Sequence, residues 1–192
     1  MPDLNNSPDL NGFRVACLVE DHFEQVELSG PKAAFEHAGA RVDIISRHAN
    51  LTGMKHDQFG DRFTADVALQ DARPEAYDAL LLPGGVVNAD RLRIVPEAQS
   101  FVRAMVEAEK PVAVICHGGW LLISAGVVRN RNVTSWPTLQ DDFRNAGAHW
   151  VDQEVVVDGN WVSSRKPADI PAFNRSAMEA FARVRADRRR AA

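Results

Sequence analysis

The chain of 192 residues contains few cysteines and no long apolar run, and each absence excludes a class of protein. Two cysteines are too few for a disulfide framework, which excludes a small secreted scaffold held together by disulfides. No apolar stretch reaches the roughly 20 residues that a membrane-spanning helix needs. The first residues, MPDLNNSPDLNG, are polar and lack the apolar core of a signal peptide, so we expect a cytoplasmic protein that does not enter a membrane.

Basic surface and metal-ligand spacings are also scarce. The net charge is −4 at pH 7, and basic residues cluster only in the terminal run Arg188, Arg189 and Arg190. Nucleic-acid binding needs a basic face, so we expect no nucleic-acid partner. Five histidines show no ligand-like spacing with the cysteines, which predicts that no metal is bound. They are His22, His37, His48, His56 and His149.

Apolar runs typical of buried strands alternate with helical patterns along most of the chain. The strand-like runs are FRVACLV at 13–19, RVDIIS at 41–46, YDALLLPGG at 77–85 and VAVIC at 112–116. Continuous apolar strands separated by helices predict a parallel sheet covered on both faces. Pro31 is expected to restart a helix as its first residue, and the polar segment 47–71 to form short strands. EVVVDGNWVSS predicts a late hairpin, and a closing amphipathic helix follows from Ala168 onward.

The domain organisation follows from this alternation and from composition. With 45% hydrophobic and 25% charged residues, the chain has the composition of an ordinary globular domain. No internal repeat or domain-scale linker interrupts the pattern. We therefore predict a flexible N-terminal arm at 1–12, a single α/β domain at 13–186 and a flexible C-terminal tail at 187–192.

The stretch VAVICHGGWLLISAGV at 112–127 carries the strongest chemical signal. Its strand-like run delivers Cys116 to the carboxyl edge of the sheet, where open parallel sheets bind ligands. Gly118 and Gly119 allow a sharp turn from strand to helix, which would display the cysteine as a nucleophile elbow displays its serine. The following helix N-terminus is expected to favour the thiolate. Cys17, within the first strand, is expected to be part of the core.

Three further motifs place polar groups near the same edge, and each has a purely structural alternative. His117 is a candidate base for the cysteine, although neighbouring side chains on one turn often diverge. Gly84 and Gly85 end another strand, where their amides would either stabilise an oxyanion or simply form a turn. Glu24 and Glu27 follow the first strand, either as proton carriers beside the sulfur or as acidic residues favoured at a helix N-terminus.

Taken in order, four stretches together resemble one known family. They are FEQVEL, DALLLPGG, KPVAVICHGGWLLISAGV and DDFRNAGAHWVDQEVVVDGNWVSSRKPADIPAF. They resemble the PfpI family of intracellular cysteine peptidases and bacterial general stress proteins. That family is similar to the parkinsonism-associated protein deglycase and lies in the class I glutamine-amidotransferase-like superfamily. The resemblance implies a flavodoxin-like three-layer α/β sandwich with a mostly parallel central sheet and a nucleophile turn at Cys116.

The resemblance also implies roles for residues of this chain. Cys116 is implied as the nucleophile, with His117 as its basic partner. Glu24 is implied as the carboxyl group that touches the cysteine sulfur. Gly85 and the backbone of His117 are implied as oxyanion donors, and the neighbouring Gly84 is counted with them as part of the substrate-binding loop.

Two departures from the family pattern concern the subunit interface and the pocket. In PfpI-type assemblies a glutamate after the PGG loop comes from the adjoining subunit; Asp90 is its best match here, and a helix N-cap is the alternative. In HGGW, where relatives commonly have HGP or HAP, Trp120 either lines the pocket or belongs to the core. Trp136 is expected in the core, with packing at an interface as the alternative. The resemblance and the incomplete triad predict a homodimer, or a hexamer, with the active site near a subunit interface.

The predicted function is a stress-response cysteine hydrolase in which the Cys116 thiolate attacks a carbonyl group. The substrate is either a peptide or amide, or else methylglyoxal and its early adducts, as in a deglycase or glyoxalase. Neither chemistry needs a cofactor. The alternative is a redox sensor that acts through oxidation of Cys116, since an accessible thiolate of low pKa is readily oxidised. A sensor has little need of an acid behind His117, whereas a triad hydrolase requires one.

Overall fold

The computed structural model describes residues 8–191, in which strands and helices alternate. The strands are β1 (Arg14–Leu18), β2 (Arg41–Ser46), β3 (Asn50–Lys55), β4 (Gln58–Thr64), β5 (Val67–Ala68), β6 (Ala79–Leu82), β7 (Val112–Ile115), β8 (Asn132–Val133), β9 (His149–Trp150), β10 (Val155–Asp158) and β11 (Trp161–Ser164). The helices are α1 (Gln25–His37), α2 (Val86–Arg93), α3 (Pro96–Glu107), α4 (Gly119–Ser124), α5 (Gln140–Asn145) and α6 (Ile170–Ala191).

The central sheet has seven strands in the order β10-β11-β7-β6-β1-β2-β5. Its strands pair in parallel, except that β10 and β11 form the antiparallel hairpin predicted from EVVVDGNWVSS. In the middle of the sheet, β1 pairs with β6, and β6 pairs with β7. The carboxyl ends of these three strands therefore lie side by side at one edge, where ligands bind in sheets of this kind.

Alternating side chains of the strands build two apolar layers, one on each face of the sheet. Val15 and Cys17 of β1 belong to the layer that includes the apolar faces of α1 and α6. Ala16 and Leu18 belong to the opposite layer, which contains apolar side chains of α2, α3, α4 and α5. This arrangement confirms the predicted three-layer α/β sandwich, and Cys17 is fully buried in its core as expected.

Pro31 lies inside α1 and does not start a helix, so that expectation is wrong. The helix begins at Gln25, and Pro31 is buried within it. Gly30, just before it, approaches α6 so closely that a Cβ there would lie 3.2 Å from the Ile170 side chain. Tight packing of α1 against α6 therefore holds the helix together across a residue that cannot donate a backbone hydrogen bond. Helix α2 is a second difference, because the sequence pattern did not predict it.

The structure describes parts of the predicted N-terminal arm and C-terminal tail. Residues 1–7 and 192 lie outside the described residues. Leu10 is fully buried, and its N–H donates to the carbonyl of Ala38 at 2.8 Å. At the other end, α6 runs through residues 187–191. The division into arm, domain and tail stays a prediction. Within residues 8–191, no helix is both long and apolar enough to cross a membrane.

Candidate active site

Three loops meet at the carboxyl edge of the sheet, one after each of β1, β6 and β7. The loop after β1 is tied to the loop after β6 by a hydrogen bond from the Glu24 N–H to the Gly84 carbonyl, 3.2 Å long. The hairpin of β3 and β4 joins them from the side, because the Met54 N–H donates to the Phe23 carbonyl at 2.7 Å. The chemical groups predicted from three separate motifs are thereby brought into one place.

Cys116 stands at the end of β7 in a strained backbone conformation. Its φ is +60°, in the left-handed region that costs a non-glycine residue roughly 1–2 kcal/mol. The tight turn packs directly on the end of β6, because a Cβ at Gly118 would lie 2.4 Å from the Leu82 carbonyl oxygen. The structure therefore has a sharp turn at Cys116. Gly118 is required there because the backbone of the turn approaches the backbone of β6 closely.

Glu27 is the carboxyl group that interacts with the Cys116 side chain, and each of the two groups shifts the pKa of the other. Its Oε2 accepts the Gly84 N–H at 2.9 Å. Its Oε1 is buried and has no hydrogen-bond partner among the described residues. Burial raises the pKa of Glu27 to about 8, so the carboxyl group is protonated at neutral pH. A buried proton donor therefore lies beside the sulfur.

The expected contact between Glu24 and the sulfur is wrong, and the start of α1 explains why. Glu24 precedes the helix, and its carboxylate accepts the N–H of His56 in the β3–β4 hairpin at 3.1 Å. Glu27 lies in the first turn of α1 and is fully buried beneath the loop after β6. Both glutamates line the cavity, but only Glu27 reaches the sulfur.

His117 contacts the cysteine side chain directly, since its Nδ1 lies 3.2 Å from Sγ. Burial lowers the pKa of His117 to about 4, so the imidazole is neutral at pH 7 and able to accept a proton. Trp136 stacks on its ring at a centroid distance of 5.8 Å, and Trp120 meets it edge-on at 5.2 Å. The sequence-adjacent pair is therefore a true contact, held between two aromatic rings.

The two tryptophans differ in what they do at the site. Trp136 is 36% exposed and lines the cavity, so its expected place in the core is wrong. Trp120 is not among the residues that line the cavity, and its Nε1–H donates to Asp142 at 2.7 Å. Trp120 thus supports His117 from behind and does not face a ligand.

Backbone amides surround the sulfur as well. The N–H groups of Gly85 and His117 donate to Cys116, and both lower the pKa of its thiol. Burial raises the thiol pKa above its ordinary value, and the negative charge that Glu27 carries once it ionises, above about pH 8, raises it further. The amides at this turn therefore favour the thiolate as expected, but burial outweighs them in the single chain. Gly84 donates its N–H to Glu27, so it is not an additional donor for an oxyanion.

Asp90 lies away from these groups in the single chain. It is exposed in the middle of α2, and the residue that caps this helix is Gly85, so the N-cap alternative is wrong. No hydrogen bond or ion pair joins Asp90 to His117 within the part of the chain that the structure describes.

A cavity of about 630 Å³ opens over the sulfur. Its lining is mostly apolar, which suits a small organic molecule. The lining residues are His22, Glu24, Glu27, Met54, His56, Gly85, Val86, Val87, Cys116, His117, Trp136, Lys166, Pro167 and Ala168. Among residues 8–191, no three His, Cys, Asp or Glu side chains are grouped as a metal site would require.

Comparison with known proteins gives a consistent result. Residues 13–180 match the model of the DJ-1/PfpI family. A deglycase of Pyrococcus horikoshii is 47% identical over 164 residues, which cover 85% of this chain and 96% of that protein. The deglycase PfpI of Pyrococcus furiosus is 42% identical over 163 residues, with the same coverage of 85% and 96%.

A solved structure supports the fold independently. A two-domain protein of Anabaena variabilis, with a DJ-1/ThiJ/PfpI-like and a ferritin-like domain, superposes with a TM-score of 0.81 at 30% identity. The match covers 87% of this chain and 47% of that one, so the chain spans about half of the two-domain protein. The flavodoxin-like arrangement predicted from the sequence is confirmed.

Proposed function

The chain belongs to the DJ-1/PfpI family, and on that premise we propose that it is a cysteine enzyme that acts on methylglyoxal and its early adducts, as a deglycase does. The observation that carries this proposal is the set of groups around one sulfur. A neutral imidazole lies 3.2 Å from the Cys116 Sγ, and the buried Glu27 carboxyl group, protonated at neutral pH, lies against the same side chain. A base and an acid on either side of a nucleophile suit addition to a carbonyl group.

The first step is attack on the aldehyde carbon of the substrate. A bond forms between Sγ and that carbon, the π bond of the carbonyl breaks, and the thiol proton passes to Nδ1 of His117. Because the imidazole is neutral, it accepts this proton without prior ionisation of the thiol. Glu27 gives its proton to the carbonyl oxygen, and the amides of Gly85 and His117 stabilise the negative charge that develops nearby.

The second step moves a proton between two carbons of the bound adduct. Ionised by the first step, Glu27 removes the hydrogen of the former aldehyde carbon and returns a proton to the adjacent ketone carbon, while the hydroxyl proton of the adduct passes to the ketone oxygen. The aldehyde carbon is thereby oxidised to a thioester while the ketone is reduced to an alcohol. Water then cleaves the thioester, so lactate leaves and the thiol is restored. The balance needs water alone as co-reactant.

Two other functions are weaker on these observations. Peptide hydrolysis would use the same nucleophile, but a cavity of about 630 Å³ is better suited to a small carbonyl compound than to a folded chain. A redox sensor needs an ionised, accessible thiol, whereas Cys116 is buried and its thiol pKa is raised by burial. Both become outcomes of the experiment below.

The decisive experiment compares wild type with Cys116→Ala, Glu27→Gln and the matched control Glu24→Gln. Loss of methylglyoxal, release of N-acetylcysteine from its hemithioacetal and cleavage of a fluorogenic peptide are followed in parallel. We expect Cys116→Ala to fall to background and Glu27→Gln to lose roughly 10²- to 10⁴-fold in kcat. Glu24→Gln should stay within about fivefold of wild type, since its carboxylate faces the hairpin.

The same experiment can refute the proposal. Activity that survives Cys116→Ala would exclude the thiol as nucleophile. Cleavage of the peptide alone would establish the peptidase. A wild type inert toward all three substrates, in which peroxide converts Cys116 to the sulfinate, would establish the sensor.

We further propose that the active site is shared between the subunits of a homodimer, with Asp90 facing His117 of the neighbouring subunit. Asp90 is exposed on α2, and the exposed Val86 and Val87 begin that helix at the mouth of the cavity. Exposed apolar residues beside a site are typical of subunit contacts. Mixing Cys116→Ala with Asp90→Asn should restore about a quarter of wild-type activity, because half the dimers are mixed and each has one complete site. No recovery, in dimers shown by native mass spectrometry to have exchanged subunits, would exclude a shared site.

A further inference from the structure

Asn88 is a buried polar residue to which neither the sequence motifs nor the proposed reaction gives a task. It lies in α2, and its side chain is fully buried. Its Nδ2 donates to two consecutive carbonyls of the loop after β6, Pro83 at 3.2 Å and Gly84 at 2.8 Å. Its Oδ1 accepts the N–H of Glu20, just after β1, at 2.6 Å. One carboxamide therefore joins the loops after β1 and β6 to α2.

The planar peptide bond gives these contacts a consequence for the active site. In a trans peptide, the carbonyl of one residue and the N–H of the next point in opposite directions from the same plane. The Pro83 carbonyl shares its plane with the Gly84 N–H, which donates to Glu27. The Gly84 carbonyl shares its plane with the Gly85 N–H, which donates to Cys116. Asn88 thus binds the carbonyl oxygens of both peptide planes, and the N–H groups of the same planes face the reacting groups.

Besides Asn88, the Glu24 N–H also contacts the Gly84 carbonyl, at 3.2 Å, but no side chain of the loop itself restrains either plane. Gly84 and Gly85 carry no side chains, and the φ of Gly85 is +91°. Glycine is needed there because a Cβ would lie 2.4 Å from Glu27 Oε2 at Gly84, and 2.5 Å from the Glu24 N at Gly85. Because both residues are glycine, their backbone dihedrals have few steric limits. The two peptide planes can therefore rotate unless another group restrains them.

We propose that Asn88 is a positioning residue, which aims the Gly84 and Gly85 N–H groups at Glu27 and Cys116 and so orders the site for the reaction. The inference rests on the proposed function for its kinetic consequence alone. The structural part of the inference is that Asn88 fixes the orientation of the amides toward the sulfur and the carboxyl group. This part does not depend on any substrate.

Asn160 provides a matched control. Its Nδ2 also donates to two consecutive carbonyls, Glu109 at 2.9 Å and Lys110 at 3.2 Å. This second pair lies just before β7, at the opposite end of the strand from Cys116. Replacing either asparagine by leucine removes two hydrogen bonds to backbone carbonyls. Only the pair at Asn88 lies next to the active site.

The test compares Asn88→Leu, the smaller Asn88→Ser and Asn160→Leu with wild type. Two readouts are used: kcat and KM on methylglyoxal, and the rate of Cys116 alkylation by iodoacetamide as a function of pH, with Cys116→Ala giving the background. The titratable groups around the cavity are unchanged in every variant. They are His22, Glu24, Glu27, His56, His117 and Lys166.

We expect the Asn88 variants to lose roughly 10- to 100-fold in kcat, with KM changed less than about threefold, because amide donors act chiefly on developing charge. Alkylation near pH 7.5 should slow about tenfold, with the profile moved to higher pH, since a hydrogen bond to the thiolate is lost. Asn160→Leu should lower the melting temperature without either change. Where Asn88→Leu does not fold, Asn88→Ser carries the test.

Two results would overturn the proposal. One is a folded Asn88 variant whose kcat and alkylation profile stay within about twofold of wild type. The other is an equal loss in Asn160→Leu. If wild type turns over no aldehyde, the proposed function fails, yet the alkylation profile still decides whether Asn88 positions the amides.

Discussion

Replacing Glu27 by glutamine should stabilise the folded protein at alkaline pH while removing its activity. Glutamine has nearly the same shape, and its carboxamide oxygen can still accept the Gly84 N–H that Oε2 accepts now. It cannot ionise, however, and it cannot exchange a proton with the sulfur. The substitution therefore separates the role of Glu27 in proton transfer from the effect of its burial on the free energy of unfolding.

The magnitude follows from the difference between the folded and unfolded pKa of this carboxyl group. Burial raises the pKa from 4.5 to about 8. Between these values the folded state binds the proton and the unfolded state does not, so the free energy of unfolding falls as pH rises. At about 1.36 kcal/mol per pH unit, the wild type loses roughly 3 to 4 kcal/mol between pH 5 and pH 8 through this group alone.

The assay is urea unfolding of wild type, Glu27→Gln and Glu24→Gln at pH 5, 6, 7 and 8. Other groups titrate over the same range, so the quantity of interest is the difference between each variant and wild type at each pH. For Glu27→Gln that difference should grow by about 3 kcal/mol in favour of the variant from pH 5 to pH 8. Glu24→Gln removes a carboxylate of the same cavity, and its difference from wild type should stay nearly constant.

The reasoning is refuted if the curve for Glu27→Gln runs parallel to that of wild type across this range. Such a result would mean that Glu27 is ionised in the folded protein at neutral pH and is no proton donor. A variant that is more stable than wild type at pH 8 and fully active would refute the reaction scheme. It would not refute the argument that the raised pKa of Glu27 makes stability depend on pH.

Two further predictions concern the turn that holds the cysteine. Gly118→Ala should lower the free energy of unfolding in urea by roughly 3 kcal/mol, because its Cβ would lie 2.4 Å from the Leu82 carbonyl oxygen. The control Gly126→Ala has open space around it and should lose only the roughly 1–2 kcal/mol that its positive φ costs. Equal losses would show that the turn does not pack on β6 as described. The His117 ring should stay neutral in an NMR titration down to about pH 4, since burial lowers its pKa; a midpoint near 6.5 would exclude it as a neutral base at lower pH.

The sequence predicts the centre of the sheet well, because continuous apolar runs leave few alternatives. RVDIIS forms β2 over the same residues, and VAVI forms β7. Elements fixed by tertiary contacts are harder to predict. In helix α2, VVNADRLR, both valines are exposed and the asparagine is buried, so the apolar residues do not mark the buried face. Pro31 lies within a helix because α1 packs closely on α6.

The candidate site shows the same division. Cys116, His117 and Gly85 meet as their motifs indicate, because each follows directly from the end of a strand. Glu24 and Glu27 could not be distinguished, because the choice depends on where α1 begins, and helix boundaries are uncertain by a few residues in a sequence. Asn88 carries no motif at all, since its contacts are with backbone atoms that any sequence would supply.

The placing of the site on β1, β6 and β7 has a consequence for biosynthesis. Glu27 emerges from the ribosome early, but β1 lies beside β6, and β6 beside β7, so the centre of the sheet stays incomplete until residue 115 and its neighbours have been translated. Until then the Cys116 thiol of a nascent chain lacks the burial that raises its pKa. It is therefore more ionised, and more open to electrophiles, before folding than after. Completion of the sheet buries the sulfur and so lowers its exposure to electrophiles in the surrounding solution.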